Sequence, residues 1–161
     1  MGFTLLELLI TLTVLAALTV FGGSQLPDLI SNRALRSDVN ALARHLRYGR
    51  FSALQHGAPV TLCALNPKGR CENAWDGPLS LFIDHPPKGL RQGPEDRLLR
   101  LGPRAPRGVA RQWRAFGSRR YLRWRPDGRT DGQNGRFTLS QGELSYELVI
   151  TQAGRLRQSK S

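Results

Sequence analysis

Gly2-Phe3-Thr4-Leu5-Leu6-Glu7 opens a run, Phe3 to Phe21, that is 19 residues long and carries one charge, Glu7. Wound as a helix at about 1.5 Å per residue, it would reach roughly 28 Å, close to the hydrocarbon thickness of a bilayer. Its other polar side chains are Thr4, Thr11, Thr13 and Thr19, whose hydroxyls can bond back to helix carbonyls. The pattern predicts a membrane-spanning helix over residues 3–21 with a carboxylate inside it. An ionised carboxylate in lipid costs at least ~2.5 kcal/mol, so Glu7 is expected to have a function. A secretory signal peptide would open on Lys or Arg and close on a small-x-small site, and this stretch shows neither.

The same six residues resemble the cleavage and methylation motif of type IV prepilins and pseudopilins. The resemblance implies that a prepilin peptidase cuts after Gly2, leaving residues 1–2 as a leader remnant and Phe3 as a methylated N-terminus. It also implies that Glu7 pairs with the terminal amine of a neighbouring pilin in the filament core. The chain would then be anchored in the inner membrane with its head in the periplasm, before assembly into a filament at the cell surface.

The chain holds 24 Lys and Arg against 12 Asp and Glu, a formal charge of +12. Only Glu7 of these lies in the apolar run, so the rest of the chain is more basic still. Such a surplus suits a polyanion: nucleic acid, anionic lipid or acidic polysaccharide. A basic surface with no partner is the alternative. Cys63 and Cys71 are the two cysteines, and His45, His56 and His85 stand at no ligand spacing, so no metal site is expected. In an oxidising periplasm a Cys63–Cys71 disulfide is the economical expectation, with two free buried thiols as the alternative.

Beyond the apolar run, residues 22–56 continue as an amphipathic pattern. Leu35, Val39, Leu42, Leu46, Ala53 and Leu54 form an apolar stripe, and Arg33, Arg36, Arg44, Arg47 and Arg50 form a basic face. Gly22, Gly23 and Pro27 are expected to loosen or kink the helix, and Gly57-Ala58-Pro59 to end it. Residues 57–161 change to strand composition. Strands are predicted at 60–65, 79–84, 108–116, 118–125, 136–140 and 144–151, with turns at Pro126-Asp127-Gly128 and Gln141-Gly142. The fold class is α+β: a long N-terminal helix packed on an antiparallel β-rich head with a basic C-terminal tail.

Catalytic chemistry is not visible. No glycine run has phosphate-loop spacing and no serine sits in an elbow sequence. Asp76, Asp127 and Asp131 stand beside glycines and Asp84 two residues before Pro86, which is ordinary turn chemistry. No enzyme activity and no cofactor are expected.

Further motifs follow in order: the Cys63/Cys71 pair, Trp75-Asp76-Gly77, Leu81-Phe82-Ile83-Asp84, Leu122-Arg123-Trp124-Arg125-Pro126-Asp127-Gly128, and Leu148-Val149-Ile150-Thr151 leading into Gly154-Arg155-Leu156-Arg157. Their order resembles the GspH/FimT family of minor pilins and pseudopilins. That resemblance implies a head of two small sheets. It also implies, through the Gly-Arg-x-Arg motif at Gly154, Arg155 and Arg157, non-specific binding of double-stranded DNA during natural transformation in competent cells. In an extended segment Arg155 and Arg157 would point to one side, about 7 Å apart, near the separation of successive phosphates. Guanidinium groups bind phosphate bidentately, and Lys160 would add a third contact. Trp113, Trp124 and Tyr121 are expected as half-buried strand residues before base-stacking ones. The other function carried by the sequence is a structural minor pilin or type II secretion pseudopilin that primes filament assembly without binding DNA.

Overall fold

The computed structural model describes residues 4–22 and 26–160. Gly2 and Phe3, the expected cleavage and methylation site, lie outside the described residues. Helix α1 spans Leu5–Gly22 and helix α2 spans Leu26–His56. Thr4 caps α1: its hydroxyl and carbonyl both accept from the Glu7 amide, at 3.3 and 3.1 Å. The Thr11 and Thr13 hydroxyls donate back to the carbonyls of Leu8 and Ile10, which satisfies them without water. Leu5, Leu6, Leu8, Leu9, Ile10, Leu12, Val14 and Leu15 are all exposed. Among the described residues no helix is long and apolar enough to cross a membrane. Pro27 falls in the first turn of α2, where its missing donor costs the helix nothing.

Among the described residues the remainder is nine strands in two antiparallel sheets, consistent with the α+β expectation. The first sheet holds β1 (Val60–Leu65), β2 (Cys71–Glu72), β3 (Ser80–Ile83), β4 (Leu98–Leu101) and β6 (Leu122–Trp124), with β1 bonded to β2, β3 and β6. The second sheet runs β5-β7-β8-β9, from β5 (Ala110–Ala115) through β7 (Gly135–Gln141) and β8 (Leu144–Ile150) to β9 (Leu156–Lys160).

The stripe of α2 is the centre of the core. Leu35, Val39, Leu42, Leu46 and Ala53 are buried with Leu62, Leu81, Trp124, Leu139 and Leu148. Leu54 is the exception: it is half exposed, at the rim of the helix contact. Gly49 allows the helix to close on the first sheet, since a Cβ there would stand 2.6 Å from the Trp124 ring. Trp75, Trp113 and Phe137 pack together, with the Trp75 and Phe137 centroids 4.9 Å apart edge to face.

A buried ion pair joins α2 to the second sheet, and another ties the end of β3 to β6 within the first sheet. Arg111 on β5 grips the Asp38 carboxylate of α2 with Nε and Nη2, while its own amide donates to Asp76 at 2.6 Å. Arg123 on β6 donates to Asp84 and Asp131, at 3.1 and 2.8 Å. Thr61 and the Gly89 amide also donate to Asp84. Burial lifts the Asp84 carboxyl above the usual range against these donors. The Lys88 ammonium and Arg123 hold Asp131 below that range, against a partial desolvation cost. Asp84 and Asp131 therefore do more than the turn chemistry expected of them. Cys63 and Cys71 form a disulfide across the β1–β2 hairpin, buried beside Phe82.

Candidate nucleic-acid interface

The segment after Ile150 was expected as a basic tail, and it is instead the edge strand of the second sheet. Ile150 pairs with Leu156, Val149 with Arg157 and Tyr146 with Lys160. Leu156 packs against the core, and that apolar contact makes a strand of what charge alone reads as solvated chain. The connection is a three-residue hairpin loop: Gly154 N donates to Thr151 O, and Thr151 N to Arg155 O, at 2.8 and 3.0 Å. Gly154 takes φ +74°, and a Cβ on it would meet the Gly128 carbonyl oxygen at 2.2 Å. No other residue type fits both demands.

The Gly128 carbonyl also accepts from Arg50 Nε of α2 at 3.0 Å. Arg50, expected on the solvent face, is thus half buried and joins the helix to two turns. A cleft of about 480 Å³ opens beside this joint, lined by Arg47, Arg50, Phe51, Leu54, Trp124 and Arg155 among others.

Arg155, Arg157 and Lys160 are all exposed. Among the described residues no carboxylate pairs with any of the three, so their charge is turned to solvent. They do not share one face. Side chains alternate along a strand, and the register sets Lys160 across from Tyr146, whose hydroxyl meets Arg36 of α2. Arg157 lies across from Val149 on the opposite face of the sheet. Arg155 sits at the mouth of the turn, beside the cleft.

The basic stretch 88–129 divides in the same way. Arg111 and Arg123 are buried and neutralised by carboxylates, so they are no part of a surface. Trp113 and Trp124 are buried too, more deeply than expected, and have no face free to stack on a base. Arg104, Arg107, Arg114, Arg119 and Arg120 remain exposed. Among the described residues no group of His, Cys, Asp or Glu is placed to hold a metal ion. Glu7, the expected assembly residue, is exposed in the first turn of α1, where its charge also favours the helix dipole.

A family model described as type II transport protein GspH matches residues 38–154. The chain belongs to the GspH family. Its fold is that of the type IV minor pilin FimU of Pseudomonas aeruginosa strain PAO1, at 21% identity and a TM-score of 0.61, over 80% of this chain and 90% of that one. It is also similar to the minor pseudopilin EpsH of the type 2 secretion system of Vibrio cholerae, at 12% identity and a TM-score of 0.51, over 76% and 95% of the two chains. No curated protein matches the chain. A GspH-family chain is a minor pilin or pseudopilin, a non-enzymatic subunit that associates with other pilins or pseudopilins. Minor pilins are membrane-anchored and assembled into filaments.

Proposed function

We propose that this GspH-family subunit is a FimT-type minor pilin of a type IV pilus. It binds extracellular duplex DNA without sequence preference and promotes its uptake in natural transformation. The observation that carries the proposal is the exposed pair Arg155 and Arg157, held at the β8–β9 hairpin and unmatched by any carboxylate among the described residues. Such arginines position a duplex through its phosphates and do not read bases. Residues 3–21 anchor the subunit in the inner membrane. The peptidase cuts after Gly2, Phe3 is methylated, and Glu7 meets the terminal amine of a neighbour. Gel-shift titration of the full chain in detergent against random duplex DNA tests the proposal. Micromolar binding that the Arg155→Ala/Arg157→Ala pair abolishes supports it. Unchanged binding in that double variant overturns the assignment of the site.

A structural subunit that primes assembly and binds no DNA is the second reading. It is favoured by Gly154, which the packing against Gly128 requires whether or not the neighbouring arginines meet a ligand.

A further inference from the structure

Sheet register brings Arg157 into line with two arginines from distant parts of the chain. Arg114 on β5 is the cross-strand partner of Arg136 on β7, Arg136 of Val149 on β8, and Val149 of Arg157 on β9. Directly paired residues of antiparallel strands project from the same face. Trp113, Phe137 and Leu148 occupy the next row and are buried, so the arginine row is on the outer face, away from α2. All three arginines are exposed. With strands about 4.8 Å apart, the row runs about 14 Å across the sheet. Successive phosphates of one strand stand roughly 7 Å apart, so a row of that length spans about three phosphates of one strand.

We infer that Arg114, Arg136 and Arg157 form one transverse track for the phosphodiester backbone of DNA, crossing the strands of the second sheet. The inference rests on the DNA-binding proposal and deepens it: the hairpin motif is one end of a longer contact, and the duplex lies across the strands and not along β9. Glu147 modulates the track. Its carboxylate accepts from Arg136 Nη1 at 3.1 Å and so competes with a phosphate for that guanidinium.

The test is salt-dependent binding of the full chain in detergent to a random 30-base-pair duplex. Arg114→Gln with Arg136→Gln is expected to flatten the slope of log affinity against log salt by about two. Lys68→Gln with Arg70→Gln, which removes the same charge from the turn between β1 and β2, is expected to change it by much less. Glu147→Gln is expected to tighten binding more than Glu72→Gln, an equal charge change away from the track. If the sheet pair behaves like the Lys68/Arg70 pair while Arg155→Ala/Arg157→Ala still abolishes binding, the track is wrong and the hairpin site stands. If wild-type protein does not shift the duplex at all, both fall. Melting temperatures of every variant are read alongside, and for these exposed side chains they are expected to stay within a degree or two of wild type.

Discussion

Arg111 of β5 and Asp38 of α2 form a bidentate pair in which both side chains are only 2% exposed. The pair joins the helix to the second sheet through two charges that have no water to fall back on. Removing one partner leaves the other buried and uncompensated. Asp38→Ala is expected to destabilise the head by about 3–5 kcal/mol. Replacing both residues with apolar ones, as in Asp38→Leu with Arg111→Met, is expected to cost much less. Urea denaturation of the single and double variants checks the difference.

His45 is buried beside Gly102, with no hydrogen-bond partner for its Nε2 among the described residues. Burial, with the nearby Arg100 and Arg111 charges, pushes its pKa from 6.5 down to about 4. Between these values the unfolded chain binds a proton that the folded one does not, so stability rises with pH through that window. Its contribution is complete above about pH 6.5 and falls as pH drops toward 4, by on the order of 3 kcal/mol. His45→Met is expected to remove this component. Melting temperature followed from pH 7 to pH 4 in both proteins measures it, and parallel curves would rule it out.

Cys63 and Cys71 are separated by eight residues in sequence. Closing so short a loop stabilises by about 2.5 kcal/mol on the chain-entropy model. Reduction is expected to lower the melting temperature, and Cys63→Ala with Cys71→Ala to reproduce the reduced protein. A thiol titration of the untreated protein should find none.

Gly154→Ala and Arg157→Ala are expected to part company. The alanine at position 154 adds a Cβ against the Gly128 carbonyl at an unfavourable φ, and should cost about 1–3 kcal/mol. Arg157→Ala should leave stability unchanged, since that side chain is exposed. Circular dichroism melts of the two variants separate a glycine needed for folding from an arginine free to act.

At the N-terminus, filaments purified from cells with an active prepilin peptidase should contain protein beginning at N-methyl-Phe3. Gly2→Ala should block the cut. Intact Met1 in assembled filaments, found by mass spectrometry, would refute the processing scheme.

The helix stripe and the longer strands were legible because burial imposes a period on the sequence. Asp38 and His45 carry the same periodic signal: both fall at helix positions between Leu35, Val39, Leu42 and Leu46, facing the core. β2 and β4 carry no such signal. The first is two residues long, and Leu98 and Leu101 in the second are exposed. β9 was hidden by its charge, with Leu156 alone marking its buried side. The arginine row lay beyond any one-dimensional reading, since Arg114, Arg136 and Arg157 meet only through the register of four strands.

Arg50, Gly128 and Gly154 meet at one point, where a helix side chain, a turn carbonyl and a hairpin glycine touch. That point has a mechanical consequence. β9 is bonded to the sheet along one side only, through β8. Tension entering at the β8–β9 hairpin therefore has two exits: along β8 into the sheet, or through the Thr130 amide, which donates to Gln152 O at 3.0 Å, into the turn whose Gly128 carbonyl Arg50 holds on α2. A subunit built in this way resists peeling of its last strand because the hairpin is hinged to the stem of the molecule and does not hang from the sheet alone.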